Sequence, residues 1–193
     1  MPYISRLSCC LFLYADDTLV LEGDERVVKA YMDSISAVGK EYGLTFNWSK
    51  LEVLRVRHEG HVKLPAGGNV KEKDSIIYLG ALLASDGRMG SELSRRLGAA
   101  AADFTQLQVL WKHANVSRAF KKEVYLSCVV QKLLYCLHTG CFTKAELRKL
   151  DGFHARCLRK VYGIPHSQES RVSNATVLAT AGLVPLSATL LER

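Results

Sequence analysis

The hydrophobic period of this 193-residue chain changes once, at Asp86-Gly87, and that change limits what the chain can fold into. Ahead of it, apolar residues come in short runs rich in β-formers and bounded by turn residues. Residues 8–13 and 18–22 predict a strand pair, 44–47 and 52–56 two further strands, and 76–83 a buried strand pair. One helix interrupts them. Asp24 is its expected N-cap, Val27, Val28, Tyr31, Ile35 and Val38 recur at helical spacing to face the sheet, and Gly43 ends it. Asn47 and Ser49 favour a turn that presents Lys50. Residues 57–74, with Pro65-Ala66-Gly67-Gly68-Asn69, predict a loop or mobile hairpin.

Past Asp86-Gly87 the period is helical. Leu93, Leu97, Ala100, Phe104, Leu107 and Trp111 form one stripe over residues 91–113. Ser117 caps a helix over 118–137, whose second half is apolar nearly all round and predicts the central helix. Thr143 and Glu146 form a capping-box pattern ahead of a third helix. Its buried face is Leu147, Leu150, Phe153, Cys157 and Val161, and Gly163 and Pro165 stop it. A shorter helix over 173–181 and a start at Pro185 follow. The expected class is α+β in two domains. Residues 1–85 hold a β-hairpin, a helix and antiparallel strands, and 86–193 hold a helical bundle.

The formal charge of +7 is unevenly held. Residues 1–85 carry ten Lys and Arg against eleven Asp and Glu, whereas residues 86–193 carry sixteen against eight. Such a division suits a protein that meets metal with one part and a phosphate backbone with the other; a solvated basic surface is the alternative. Arg88, Arg95 and Arg96 lie on the first bundle helix, and Arg118, Lys121 and Lys122 open the second. Arg148, Lys149, Arg156, Arg159 and Lys160 lie on the third. Their spacing of three and four residues gathers several on common faces.

No run of eighteen apolar residues occurs, so no membrane span is expected. The apolar stretch near the start runs straight into Asp16-Asp17 without a small-residue cleavage site, so no secretory signal is expected either. The six cysteines lack the spacing of a secreted scaffold. An intracellular location, nuclear or cytoplasmic, follows as the expectation. His138-x₂-Cys141 and His154-x₂-Cys157 mimic zinc spacing, but Cys157 falls on an apolar helix stripe, and these residues read as core.

Tyr14-Ala15-Asp16-Asp17 separates the first two apolar runs, so its carboxylates fall at the tight turn of a hairpin. Adjacent carboxylates between buried strands repel each other and lose solvation unless a cation compensates. Hard oxygen ligands suit Mg²⁺, whose octahedron substrate phosphates can complete. The chemistry indicated is phosphoryl transfer at a metal. A solvated turn is the plain alternative, since Asp is common in turns.

Four blocks carry a resemblance: Leu13-Tyr14-Ala15-Asp16-Asp17-Thr18; Gly43-Leu44-Thr45-Phe46-Asn47-Trp48-Ser49-Lys50-Leu51-Glu52; Tyr78-Leu79-Gly80-Ala81 with Ser85-Asp86-Gly87; and Phe153-His154-Ala155-Arg156-Cys157-Leu158-Arg159-Lys160 with Val161-Tyr162-Gly163-Ile164-Pro165. In this order and spacing they resemble the reverse transcriptases of non-LTR (LINE-type) retrotransposons. The resemblance implies the C-terminal half of a palm over 1–85 and a helical thumb and connecting region over 86–193. It implies an RNA-directed DNA polymerase that copies an RNA template onto a DNA primer from deoxynucleoside triphosphates by two-metal nucleotidyl transfer. Mg²⁺ is the implied ion, with Mn²⁺ as a substitute. Asp16 would be the shared metal ligand, Asp17 the second, and Lys50 would lie near the leaving pyrophosphate. Tyr14, Tyr78, Leu79 and Gly80 would meet the primer. Arg95, Arg96, Lys121, Lys122, Arg156, Arg159 and Lys160 would meet nucleic acid.

Two departures qualify this. Leu51 stands where the family has Thr, and no Asp or Glu precedes Asp16 to act as the family's third palm carboxylate. The chain is therefore expected to be a fragment, inactive alone. The competing classes are a non-catalytic nucleic-acid-binding remnant that uses the basic half, and a subunit completed in trans.

Overall fold

Short two-stranded ladders and one long helix make up the first part of the chain; helices make up the second. The structure, a computed structural model, describes residues 10–15, 17–65, 67–113 and 115–191. It is mixed α+β and divides into two compact units, Met1–Gly87 and Arg88–Arg193.

In the first unit, β1 (Cys10–Tyr14) and β2 (Asp17–Leu21) pair antiparallel. Residues 8 and 9 of the expected strand lie outside the described residues. Helix α1 (Glu25–Glu41) starts where the Asp24 carboxylate accepts a hydrogen bond from the Arg26 N–H at 2.9 Å. The Arg26 guanidinium also closes on Asp24 at 2.8 Å and holds its carboxyl below the usual range. At the other end Gly43 turns left-handed (φ 72°). The Leu44 N–H then reaches back to the Gly39 carbonyl at 2.9 Å, a Schellman closure.

That closure overturns the strand expected over residues 44–47. The chain is turned back on its helix, the Phe46 and Trp48 rings pack 4.5 Å apart, and Trp48–Lys50 coil into a 3₁₀ turn. A second correction concerns pairing. β3 (Glu52–Leu54) lies beside β4 (Lys71–Lys73), and the pair is parallel rather than antiparallel. β4 comes from the segment expected as a loop. Lys71-Glu72-Lys73 has no apolar alternation to read, and the pairing is marked instead by ion pairs, Lys73–Glu52 at 2.7 Å and Arg55–Glu72. β5 (Ser75–Tyr78) and β6 (Ala81–Ala84) form a second hairpin. Among the described residues, Met32 and Val70 are the apolar side chains this unit buries.

In the second unit, two helices replace the one expected over 91–113: α2 (Gly90–Gln106) and α3 (Gln108–Lys112). Leu107 leaves helical geometry between them. The cause is Trp111, whose indole N–H takes the Phe104 carbonyl at 2.8 Å while its ring stacks on Phe104 at 4.9 Å.

The helix expected over 118–137 is also broken. α4 (Arg118–Tyr125) is capped by Ser117 on the Phe120 N–H and runs into a wide π turn, Leu126–Val130, and then α5 (Gln131–Leu134). The Ser127 hydroxyl donates to the Glu123 carbonyl at 2.8 Å and competes for an acceptor that an α-helix would use. Cys136 then adopts φ 65° and a 3₁₀ turn follows, Leu137–Thr139.

Helix α6 (Lys144–Tyr162) carries the expected capping box between Thr143 and Glu146 and ends at Gly163 (φ 68°). α7 (Ser167–Ser170), α8 (Asn174–Ala181, capped by Ser173) and α9 (Leu186–Leu191) complete the unit. The central role falls to α6, which packs against α2, α3, α4, α8 and α9; the broken 118–137 segment is too short in each piece to take it. The core joins Leu93, Phe104, Tyr125, Leu133, Leu150, Leu158 and Val177. Among the described residues, no helix is long and apolar enough to cross a membrane.

Candidate functional site

The register of β1 and β2 pairs Tyr14 with Asp17. Ala15, which follows Tyr14, has left-handed backbone at φ 51°. Asp16, with the carboxylate role expected of it, lies outside the described residues. Asp17 closes the ladder and is exposed. Strand β1 is open on both faces: Leu13 is 67% exposed on one and Tyr14 65% on the other.

The second hairpin closes on a two-residue loop. Tyr78 pairs with Ala81, and Leu79 and Gly80 form the loop at φ 46° and 77°. A leucine in this region costs on the order of 1 kcal/mol relative to glycine. The Tyr78 hydroxyl reaches the Phe12 carbonyl of β1 at 3.4 Å, so the structure brings together the Tyr14 and Tyr78 motifs. Lys50 sits exposed at the end of its 3₁₀ turn, which Ser49 and Asn47 close through a 2.7 Å hydrogen bond. No hydrogen bond or ion pair joins Lys50 to Asp17 among the described residues. Nor do those residues hold a group of three or more His, Cys, Asp or Glu placed to bind a metal ion.

The basic residues expected to meet nucleic acid differ in their surroundings. Arg95 and Arg96 are engaged with Glu92, a fully buried carboxylate, each through a 2.7 Å bond. Arg96 also lies 4.8 Å from the Tyr135 ring centroid. Lys121 is buried, and its Nζ donates to the Trp111 and His113 carbonyls at 2.9 Å each, capping the end of α3. Arg159 is buried as well and donates to the Pro165 and Val172 carbonyls and to Asn174 Oδ1. Lys121 and Arg159 are drawn inward because carbonyl oxygens left over at helix ends need donors, whereas Arg95 stays exposed and Arg96 part-buried beside Glu92. Lys122 is half-buried and reaches the Ala181 carbonyl at 3.3 Å.

Arg148, Lys149, Arg156 and Lys160 remain exposed. The first three rim a groove of about 410 Å³ between α2 and α6, whose floor includes Gly98, Ala101 and Gly152. Small residues keep that floor low, and the Arg156 guanidinium lies across Gly152.

Both residues of the His154–Cys157 pair are buried. His154 Nδ1 lies 2.8 Å from the Tyr125 hydroxyl. Burial pulls its imidazole down to about 4, against smaller opposing effects of Asp151 and the Val184 backbone, and pushes the Cys157 thiol up to about 12. Tyr125 is raised for the same reason. Sequence reasoning missed Glu92 as the organiser of two arginines. The signal was present, since Glu92 precedes them by three and four residues. The His154–Tyr125 contact spans 29 residues and leaves no local trace.

Comparison of the chain with protein-family models, with curated proteins and with solved structures finds no match in any of the three.

Proposed function

We propose that the chain is part of an RNA-directed DNA polymerase of the non-LTR retrotransposon type, with palm residues in Met1–Gly87 and thumb and connecting helices in Arg88–Arg193. The observation that carries this reading is the antiparallel pairing that sets Tyr14 opposite Asp17, with Tyr78 of the second hairpin against the first strand. In this reading Asp16 and Asp17 would hold Mg²⁺, which activates a primer 3′-hydroxyl and clamps the triphosphate when bound. Lys50 would offset charge on the leaving pyrophosphate.

The fit to a complete two-metal site is partial. Asp17 is the one carboxylate of the pair among the described residues, and no acidic residue precedes Asp16 in the sequence. Apolar residues exposed on both faces of β1 match a sheet that other elements cover. We therefore assign catalysis to this chain together with a segment that supplies the remaining palm carboxylate and the nucleotide-binding surface.

Primer extension tests this. The 193-residue chain alone should not extend a primer on poly(rA) with Mg²⁺ or Mn²⁺. Fusion of a palm-and-fingers segment from a related element ahead of Met1 should restore extension, and Asp16→Asn should abolish it while leaving binding nearly intact. Equal activity in the Asp16→Asn fusion would overturn the metal-site assignment.

A second reading rests on a separate observation, the basic groove rimmed by Arg148, Lys149 and Arg156. In it the helical unit binds a nucleic-acid backbone without catalysis. Salt-dependent duplex binding, with no extension in the fusion, would favour it.

A further inference from the structure

We propose that Tyr78 is a positioning residue for the β1–β2 pair: its hydroxyl tethers the Phe12 carbonyl and thereby sets where Tyr14 and Asp17 are held. The bearing of this tether on catalysis rests on the polymerase reading above; the tether itself does not. The resemblance implies that Tyr78 meets the primer. In the structure its hydroxyl has a partner within the chain, the Phe12 carbonyl at 3.4 Å, 66 residues away in sequence.

The tether leaves from a fixed base. Tyr78 pairs with Ala81 as the last residue of β5, and Leu79 and Gly80 turn the chain in left-handed backbone. That turn holds a bulky leucine where glycine or asparagine is favoured, so the end of β5 is kept in place at a cost. The tether arrives at a strand with little else to orient it. Among the described residues β1 pairs with β2 alone, and Leu13 and Tyr14 are exposed on its two faces. A two-stranded ladder is marginal by itself, so one added bond weighs on where it rests. A carbonyl oxygen has two lone pairs and can accept the tether without giving up a ladder bond. Phe12 and Tyr14 share a face of β1, about 7 Å apart along the strand. Tyr14 stands opposite Asp17, so the tether acts two residue pairs from that carboxylate.

Tyr78→Phe deletes the hydroxyl and keeps the ring. In the full ¹⁵N-labelled chain it should shift the Leu13 amide, which shares a peptide unit with the Phe12 carbonyl, and the Tyr14 and Asp17 amides. Tyr42→Phe, at an exposed ring, should leave all three in place. In the fusion with a palm-and-fingers segment, Tyr78→Phe should lower kcat about two- to tenfold, the value of one neutral hydrogen bond, and leave primer affinity unchanged. Unmoved amides at Leu13, Tyr14 and Asp17 would overturn the tether. An unchanged kcat would overturn the positioning role, and weaker primer binding beside it would make Tyr78 a primer contact. Should the wild-type fusion not extend a primer at all, the polymerase reading fails, and the amide shifts alone decide the tether.

Discussion

The two units bury apolar surface to very different degrees. The helical unit closes a continuous core in which Tyr125, Val129, Leu133, Leu137, Leu158 and Val177 are 0% exposed. The strand-containing unit leaves Phe12, Leu13, Tyr14, Leu21 and Ile77 half exposed or more. Both are short chains of ordinary composition, so the difference lies in the elements. A helix satisfies its own backbone and needs only a neighbour for one stripe. A two-stranded ladder leaves two edges and two faces open and is marginal until further strands or a helix cover it. The helical unit therefore covers its own apolar surface, and the strand-containing unit leaves part of its own open.

The strongest way to break this contrast is to separate the units. Residues 88–193 should unfold in one cooperative thermal transition followed by circular dichroism. Residues 1–87 should show none and should bind a hydrophobic dye. A sharp transition in the 1–87 fragment would mean that its ladders are complete as they stand.

Within the helical unit, the next largest effect should come from Glu92. Its carboxylate is buried between two guanidinium groups, and Glu92→Ala leaves those charges without their partner. A loss of about 3–5 kcal/mol in urea unfolding is expected. Asp33→Ala, which removes a half-exposed pair with Lys29, should cost less than about 1 kcal/mol.

Acid should act on the same unit through His154. Its folded pKa is about 4 against an ordinary value of 6.5, so the unfolded chain takes up the proton first as pH falls. The native state keeps its full stability above pH 6.5 and loses it progressively down to about 4, by roughly 3 kcal/mol in all. Unfolding midpoints across this range should follow that slope in the wild type and flatten in His154→Phe.

The smallest effects separate buried from exposed cations. Arg159→Gln should cost about 1–3 kcal/mol because the Val172 carbonyl loses its donor and the Pro165 carbonyl keeps only the Ser170 hydroxyl. Arg156→Gln should leave stability within about 0.5 kcal/mol. If the groove meets a nucleic-acid backbone, that variant should instead lower the salt slope of duplex binding by about one. Equal stability losses in the two variants would erase the distinction.

Much of the local structure was legible because its causes are local. The helix caps at Asp24, Ser117, Thr143 and Ser173, and the glycine stops at Gly43 and Gly163, each depend on residues within a turn or two. So does the hairpin that puts Tyr14 opposite Asp17. The breaks in the bundle were not legible, since an apolar stripe runs through Leu107 and through the π turn without interruption. What breaks those helices is side-chain hydrogen bonding, from the Trp111 indole and the Ser127 hydroxyl, that periodicity does not register.

The sequence by itself determined the α+β division, the caps, the tight turns and the excess of positive charge after residue 85. Only the tertiary structure decided which cations remain available to a ligand. Arg148, Lys149 and Arg156 share spacing and composition with Arg159, yet three stay at the surface and one is drawn inward. The reason is that Arg159 lies beside the Pro165 and Val172 carbonyls in the segment after α6, to which its guanidinium donates. Where such groups come to rest depends on how α6, α7 and α8 are brought together, and no stretch of sequence states it alone.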